Sequence, residues 1–282
     1  GVIAMGRYGG GELGFGSDAD VIYVYRTAGA DPDAAQRTAE RIVHELNRLT
    51  EDLRLPLDLD AGLRPEGKNG AIVRSLESYR AYYERWSLTW EAQALLRARA
   101  VAGDAALRED FTALADEIRY PATVGAAEVR EIKRIKARVE AERLPQGADP
   151  SRHLKLGRGS LSDVEWFVQL QQLQHAAAHP ELRTTSTLRA LDAAVEAGLV
   201  AAGDAERLRS AWLIASRARS ALTLWTAKTV DVLPVDRRQL EGVARLLGYS
   251  VGGATQLDED YLRTTRLARQ VFEREFYGKG RR

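Results

Sequence analysis

Cysteine is absent from the 282 residues. That excludes disulfide scaffolds, zinc–thiolate centres and cysteine nucleophiles. Histidine is scarce: His44, His153, His175 and His179 are all there are. A histidine-rich metal centre is therefore not expected, and any metal should be a hard cation held by oxygens. No apolar run approaches the ~18 residues of a membrane-spanning segment, so no membrane partner is expected. A charge surplus is missing as well. Lys and Arg number 41 against 40 Asp and Glu, a formal net charge of +1, which supplies no basic excess for nonspecific nucleic-acid binding.

What remains is ordinary globular material, 45% hydrophobic and 29% charged, in a chain long enough for two domains. It opens directly on an apolar, strand-like run, Gly-Val-Ile-Ala-Met. A buried strand at residue 2 is expected to be covered by something earlier, which suggests a piece of a longer protein.

The first 75 residues mix short β-like runs with turn-rich stretches. Residues 20–25 are β-branched and aromatic and read as a mostly buried strand. Helical spacing of Ala35, Ala39, Ile42, Val43, Leu46 and Leu49 predicts a helix over 33–52. Period-two alternation predicts a second strand over 55–63, and 71–73 is a candidate third. From Ser75 onward helical periodicity takes over: 75–86, 90–102, 104–119, 126–144, 163–178, 185–198, 205–229, 236–247 and 257–277. The stripe Leu208, Trp212, Ala215, Ala218, Leu222 and Trp225 should face a core. The expected class is α+β, with a domain over 1–125 and an all-α bundle over 126–282.

Chemistry concentrates near the start. Six glycines fall among residues 6–16, and Ser17 and Asp18-Ala-Asp20 follow. In a strand, residues two apart point to one face, so Asp18 and Asp20 should project side by side. Two such carboxylates repel unless a cation sits between them, and Mg²⁺ suits a few carboxylates plus substrate phosphates. Asp58 and Asp60 share one face of the second predicted strand. A third carboxylate from there would complete a site for in-line phosphoryl or nucleotidyl transfer. The glycine loop offers backbone N–H groups, and Ser17 a hydroxyl, for a triphosphate.

Gly-Ser-Asp-Ala-Asp ahead of a buried strand resembles the polymerase-β-type nucleotidyltransferase signature. The fuller string from Ala4 to Asp20 is similar to the glutamine-synthetase adenylyltransferases, with matches at Gly6, Arg7, Gly9, Gly10, Glu12, Leu13, Ser17, Asp18 and Asp20. Asp60-Ala-Gly-Leu-Arg-Pro-Glu-Gly resembles the same family's third-carboxylate segment, which selects Asp60 over Asp58. The resemblance implies a polymerase-β-like domain (a small mixed sheet with helices) and then a helical bundle. It implies Asp18, Asp20 and Asp60 as catalytic metal ligands, Mg²⁺ as cofactor and ATP as substrate. Phosphates would lie over Gly16 and Ser17, with Gly9, Gly10, Arg64 and Lys155 as further nucleotide contacts. For Arg64 the residues leave two readings open, an ion pair with Glu66 or a phosphate contact.

The family carries two related units, one adding AMP to a tyrosine of glutamine synthetase and one removing it by phosphorolysis. Trp90-Glu-Ala-Gln-Ala-Leu-Leu-Arg-Ala-Arg99 is similar to the adding unit. Glu91, Arg97 and Arg99 would share a helix, with a solvated basic face as the plain alternative for the arginines. Lys155-Leu-Gly-Arg-Gly-Ser-Leu-Ser-Asp-Val-Glu165 resembles the segment that begins the family's helical domain, with Ser160 where glycine is usual. Ser162 and Glu165 could equally form a helix-capping box. As a functional reading, Lys155 reaches a phosphate and Asp163 or Glu165 faces the active cleft. The basic residues at 133–138 should mostly pair along their helix. The resemblance implies a cytoplasmic enzyme acting on glutamine synthetase, with a small nitrogen-signalling protein as a further partner. The alternatives are the removing unit, a uridylyltransferase acting on a signalling protein, and a non-catalytic module on the same scaffold.

Overall fold

Strand β2 (Ala19–Tyr25) forms where the β-branched run predicts it, and both its faces are covered. The computed structural model describes residues 1–27, 29, 31–51, 57–86 and 89–279. The chain divides into two units. The first comprises Gly1–Leu13, Ser17–Thr123 and Arg183–Ser186; the second comprises Gly14–Gly16, Val124–Leu182 and Thr187–Arg282.

The first unit is built on a mixed five-stranded sheet. Strand β1 (Val2–Ala4) runs antiparallel to β2, with Ile3 opposite Ile22. Two short strands lie parallel to β2: β3 (Leu59–Asp60) beside its start and β4 (Val73–Ser75) beside its end. Successive residues of β2 point to opposite faces. Ile22 and Val24 join Ile3 and Met5 in a core closed by Tyr79 and Tyr83 of α3 (Leu76–Trp86) and by Leu107 and Phe111 of α5 (Ala105–Arg119). Val21 and Tyr23 pack with Val73 and with Val43 of α2 (Pro32–Thr50). Two covered faces explain why the strand beyond Asp20 is an unbroken apolar and aromatic run rather than alternating. Asp31 caps α2 by accepting the Ala34 N–H at 2.9 Å, and Pro32 takes the first turn.

Several expectations need correction. The helix predicted over 90–102 is a short α4 (Thr89–Leu95) followed by a strand, β5 (Arg99–Ala102). Strand β1 has a second edge whose backbone groups need partners. Residues 99–102 satisfy them, with Ala100 opposite Ile3, despite a helix-favouring composition. Of the strand predicted over 55–63, residues 55 and 56 lie outside the described residues, and β3 itself holds only two. The third strand forms at 73–75 rather than 71–73. Ile42 and Leu49, expected on the apolar face of α2, are exposed. A short helix, α1 (Gly6–Gly9), stands inside the glycine-rich stretch, which carries no periodicity to announce it.

The second unit is helical: α6 (Ala126–Glu142), α7 (Leu161–His175), α8 (Thr187–Glu196), α9 (Ala202–Thr226), α10 (Arg237–Leu246) and α11 (Ala254–Glu275). The α9 stripe of Leu208, Ala215, Ala218 and Leu222 is buried, as are Phe167 of α7 and Leu257, Tyr261 and Phe272 of α11. Trp225, predicted to be core, is 48% exposed. The helix predicted from 185 begins at Thr187, because Arg183–Ser186 belongs to the first unit. There the Arg183 guanidinium lies 5.3 Å from the Tyr120 ring centroid. Among the described residues no helix is long and apolar enough to cross a membrane.

Candidate active site

Strands β2 and β3 pair in parallel with Asp20 directly opposite Asp60. Residues paired this way project to the same face of a sheet, so the two carboxylates rise together. Asp18, just ahead of β2, joins them. One carboxylate oxygen from each of Asp18, Asp20 and Asp60 lies within 4.8 Å of the others. Asp58 is outside this group. It contributes its backbone instead, its carbonyl accepting the Ala19 N–H at 2.7 Å. Asp60 Oδ1 accepts the Gly62 N–H at 2.7 Å, which fixes its orientation. Asp18 is exposed, and Asp20 and Asp60 are half-buried.

Like charges at such separations repel by about 1 kcal/mol per pair in water and about 4 kcal/mol at an effective dielectric of 20. A small divalent cation would relieve that repulsion. An all-oxygen set of three carboxylates, open to solvent on the Asp18 side, fits Mg²⁺ with water or phosphate completing its shell.

Two glycines leave room for these carboxylates. Gly6 opens α1 with a φ of 50°, and a Cβ there would stand 3.1 Å from Asp20 Cγ and overlap its carboxylate. A Cβ on Gly62 would come within 2.9 Å of Asp60 Oδ1. The Met5 N–H donates to the Asp20 carbonyl at 2.8 Å, so α1 and β2 are tied at this point.

The far end of α1 is held by arginines. Arg97, read as a candidate for a solvated basic face, is 5% exposed and forms an ion pair with Glu12. Its carbonyl and guanidinium occupy the space that side chains at positions 9 and 10 would need. Arg99, on β5 rather than a helix, donates from Nε to the Gly9 carbonyl at 2.9 Å. Gly9 and Gly10 are thus required for packing, whatever else their N–H groups do. Glu91 is buried and accepts the Tyr82 hydroxyl at 2.7 Å. Burial, with that hydrogen bond, pushes the Tyr82 phenol up to about 12.

Gly16 has a φ of 67°, and its carbonyl accepts the Thr229 hydroxyl at 2.7 Å. Ser17 follows it, half-buried. The Arg64 guanidinium donates to three backbone carbonyls: Ala61 at 2.7 Å, Gly70 at 3.0 Å and Lys68 at 3.1 Å. It shapes the turn after Asp60. Its expected partner Glu66 pairs with Arg74 instead.

In the helical unit Lys155 is exposed. Its loop folds around His153, whose Nδ1 accepts the Leu156 N–H at 3.0 Å. Burial holds that imidazole below its ordinary pKa. The capping box is not formed: Ser160 is the N-cap residue of α7, and its hydroxyl donates to the Leu154 carbonyl. Ser160 itself is extended, and the positive φ falls on Gly159, so the departure from the family's glycine costs nothing.

Asp163 does not face a cleft. It is 1% exposed and accepts from Lys136 Nζ at 2.6 Å, Arg269 at 2.9 Å and the Gly159 N–H at 2.7 Å. Lys136, expected among surface pairs, is the buried cation of this network and also meets Glu140 at 3.0 Å. The Glu140 contact is the i,i+4 pairing expected along α6, whereas Asp163 on α7 and Arg269 on α11 are not announced by any local spacing.

Comparison with known proteins follows the same division. Residues 1–114 match the family model described as glutamate-ammonia ligase adenylyltransferase. Residues 126–276 match the model described as GlnD PII-uridylyltransferase. The chain is 71% identical over its whole length to a protein of Leifsonia xyli named bifunctional glutamine synthetase adenylyltransferase/adenylyl-removing enzyme. It is 54% identical to like-named proteins of Streptomyces avermitilis and Mycobacterium avium, over 98% of this chain in each case. The chain spans 28% of the length of each of these relatives.

Proposed function

Because the chain belongs to the glutamine synthetase adenylyltransferase/adenylyl-removing family, we propose that it is the part that transfers AMP from ATP to a tyrosine hydroxyl of glutamine synthetase. The observation that carries the proposal is the convergence of Asp18, Asp20 and Asp60 from two paired strands. Such a cluster, in a family named for nucleotidyl transfer, is most simply a site for the metal that such transfer requires.

Asp18, Asp20 and Asp60 would hold Mg²⁺. Bound there, it would neutralise charge on the transferring phosphate and its leaving group. The polymerase-β-like reading of the first unit belongs to this proposal and agrees with the mixed sheet and its carboxylates. The backbone of Gly16 and Ser17, immediately ahead of Asp18, offers N–H groups and a hydroxyl to the phosphates. Asp60 has a fixed orientation through Gly62 and can accept the proton of the attacking phenol. A free tyrosine has a pKa of about 10, so at neutral pH the attack needs such a base. The phenolate oxygen bonds to the α-phosphorus in line, the bond to pyrophosphate breaks, and pyrophosphate leaves. Arg64 acts in this scheme by shaping the Asp60 turn. Lys155, exposed on its loop, is available to a phosphate.

The bifunctional names of the relatives keep phosphorolytic removal of AMP as the second reading, since the same carboxylates would serve it. The deciding assay uses ATP labelled at the α-phosphate, Mg²⁺ and unmodified glutamine synthetase, beside an Asp18→Asn/Asp20→Asn double variant. Label on an acceptor tyrosine, lost in the variant, supports addition of AMP. Phosphate-dependent release of ADP from adenylylated acceptor, without labelling, replaces it with removal. Neither activity, with Mg²⁺-ATP binding indifferent to the Asp→Asn changes, leaves a non-catalytic module.

A further inference from the structure

We infer that Glu12, Arg97 and Ser186 are positioning residues for the carboxylate site: they hold α1 at a set distance from Asp20 and thereby fix where that carboxylate points. This rests on the reading of Asp18, Asp20 and Asp60 as metal ligands.

The argument runs along α1. Its first residue, Gly6, lies against the Asp20 carboxylate with no space for even a methyl group between them. A shift of α1 toward β2 therefore pushes the carboxylate, and a shift away releases it. The other end of α1 is gripped by residues from far along the chain. Arg99 bonds the Gly9 carbonyl at 2.9 Å and the Tyr8 carbonyl at 3.3 Å. Arg97 packs against Gly9 and Gly10. Arg7 Nε donates to the Glu12 carbonyl at 2.9 Å, and the Glu12 N–H donates to the Arg7 carbonyl at 2.8 Å, so α1 and Glu12 move as one piece.

Glu12 is the keystone of this grip. Its side chain is 7% exposed and that of Arg97 is 6% exposed. Its second carboxylate oxygen accepts the Ser186 hydroxyl at 3.3 Å. A desolvated pair of this kind adds little net stability over an apolar pair of the same shape, but it penalises any displacement that separates the charges. That property suits a device for precision. Ser186 belongs to the Arg183–Ser186 segment, which lies in sequence between two helices of the second unit yet packs within the first. The Thr185 carbonyl also stands 2.9 Å from where a Gly10 Cβ would be. The helical half of the sequence therefore supplies part of the setting of α1.

The test reads metal affinity rather than turnover. Mn²⁺ serves as a paramagnetic probe, with its binding to the full 282-residue chain followed by electron paramagnetic resonance. Unfolding is monitored in parallel by circular dichroism. Supporting partners of metal ligands typically contribute about 10–100-fold to affinity. Glu12→Gln and Arg97→Gln should weaken Mn²⁺ binding by about tenfold or more. Arg97→Lys, which keeps the charge but loses the fork, should recover part of that loss. Ser186→Ala, which removes one hydrogen bond, should weaken binding about two- to fivefold. Arg219→Gln, which takes a comparably buried arginine away from Asp231 in the helical unit, should leave Mn²⁺ affinity unchanged.

Mn²⁺ affinity within twofold of wild type in Glu12→Gln and Arg97→Gln, with Asp20→Asn abolishing binding, overturns the positioning role and leaves the metal site standing. Mn²⁺ binding that survives Asp20→Asn overturns the site itself and this inference with it. Should the Gln variants fail to fold, Arg97→Lys and Ser186→Ala decide, and wild-type affinity in both overturns the inference.

Discussion

Replacing Gly6 with alanine tests the approach of α1 to the Asp20 carboxylate. A Cβ at that position would sit 3.1 Å from Asp20 Cγ. Ordinary carbon–carbon contact begins at about 3.5–4.0 Å, so the carboxylate or α1 must give by about 0.5–1 Å. A misplacement near 1 Å at a reacting centre costs about 100-fold in rate. A fall of about 10–100-fold in kcat for the proposed transfer follows. The backbone contributes separately. With a φ of 50°, Gly6 lies in the left-handed region, where an alanine costs about 1–2 kcal/mol. For a chain of this size that is a fall of about 2–8 °C in Tm. The two effects are separable because calorimetry reads one and single-turnover labelling of the acceptor reads the other. At 20 °C, well below the transition, the fold should be intact and the rate loss should persist. A variant whose Tm falls as expected, but whose kcat and Mn²⁺ affinity match wild type, would refute the claim that α1 sets the Asp20 carboxylate.

Further expectations concern individual residues. Asp60→Asn should cost the transfer at least the ~10–100-fold typical of losing a supporting partner of a metal site, whereas Asp58→Asn, outside the cluster, should leave it unchanged; parallel kinetic assays check both. Burial raises the Glu140 carboxyl, but Lys136 and Arg269 outweigh it and hold the group below its ordinary value of 4.5. Its contribution to stability is therefore complete above pH 4.5 and is lost as pH falls from there through the lower folded value. Tm measured from pH 7 to pH 3 should show a steeper acid limb for wild type than for Glu140→Gln. Gly159→Ala should destabilise the chain by about 2–5 kcal/mol, read from the urea midpoint. Its φ is 72°, and the added Cβ would overlap the Thr265 carbonyl of α11.

How far the sequence discloses the site depends on whether the relevant geometry is local. Asp18 and Asp20 are two residues apart, and Asp60 lies on a segment whose alternation marks a strand. Period and spacing nominate Asp18, Asp20 and the pair Asp58 and Asp60, the family resemblance selects Asp60 from that pair, and pairing of β2 with β3 brings the three together. The buried apolar strand and the long helices are legible for the same reason. What stays hidden depends on partners far away in the chain. The segment 90–102 has the composition of one helix, and only the open edge of β1, nearly a hundred residues earlier, turns its end into a strand. Arg97 reads as a surface charge until Glu12 is found 85 residues away, and Lys136 until the Asp163 carboxylate is found 27 residues on. Local pattern scores a charged side chain as solvated, because burial of a charge is costly unless a counter-charge is supplied. The sequence contains that counter-charge but not its position. Glu12 could have been singled out on one ground: it is an acidic residue within a glycine-rich stretch that also matches the family pattern, so solvation alone does not account for it. The residues hardest to read in this chain are therefore the buried ions, and one such pair, Glu12 and Arg97, holds the end of α1 opposite the Gly6 contact with Asp20.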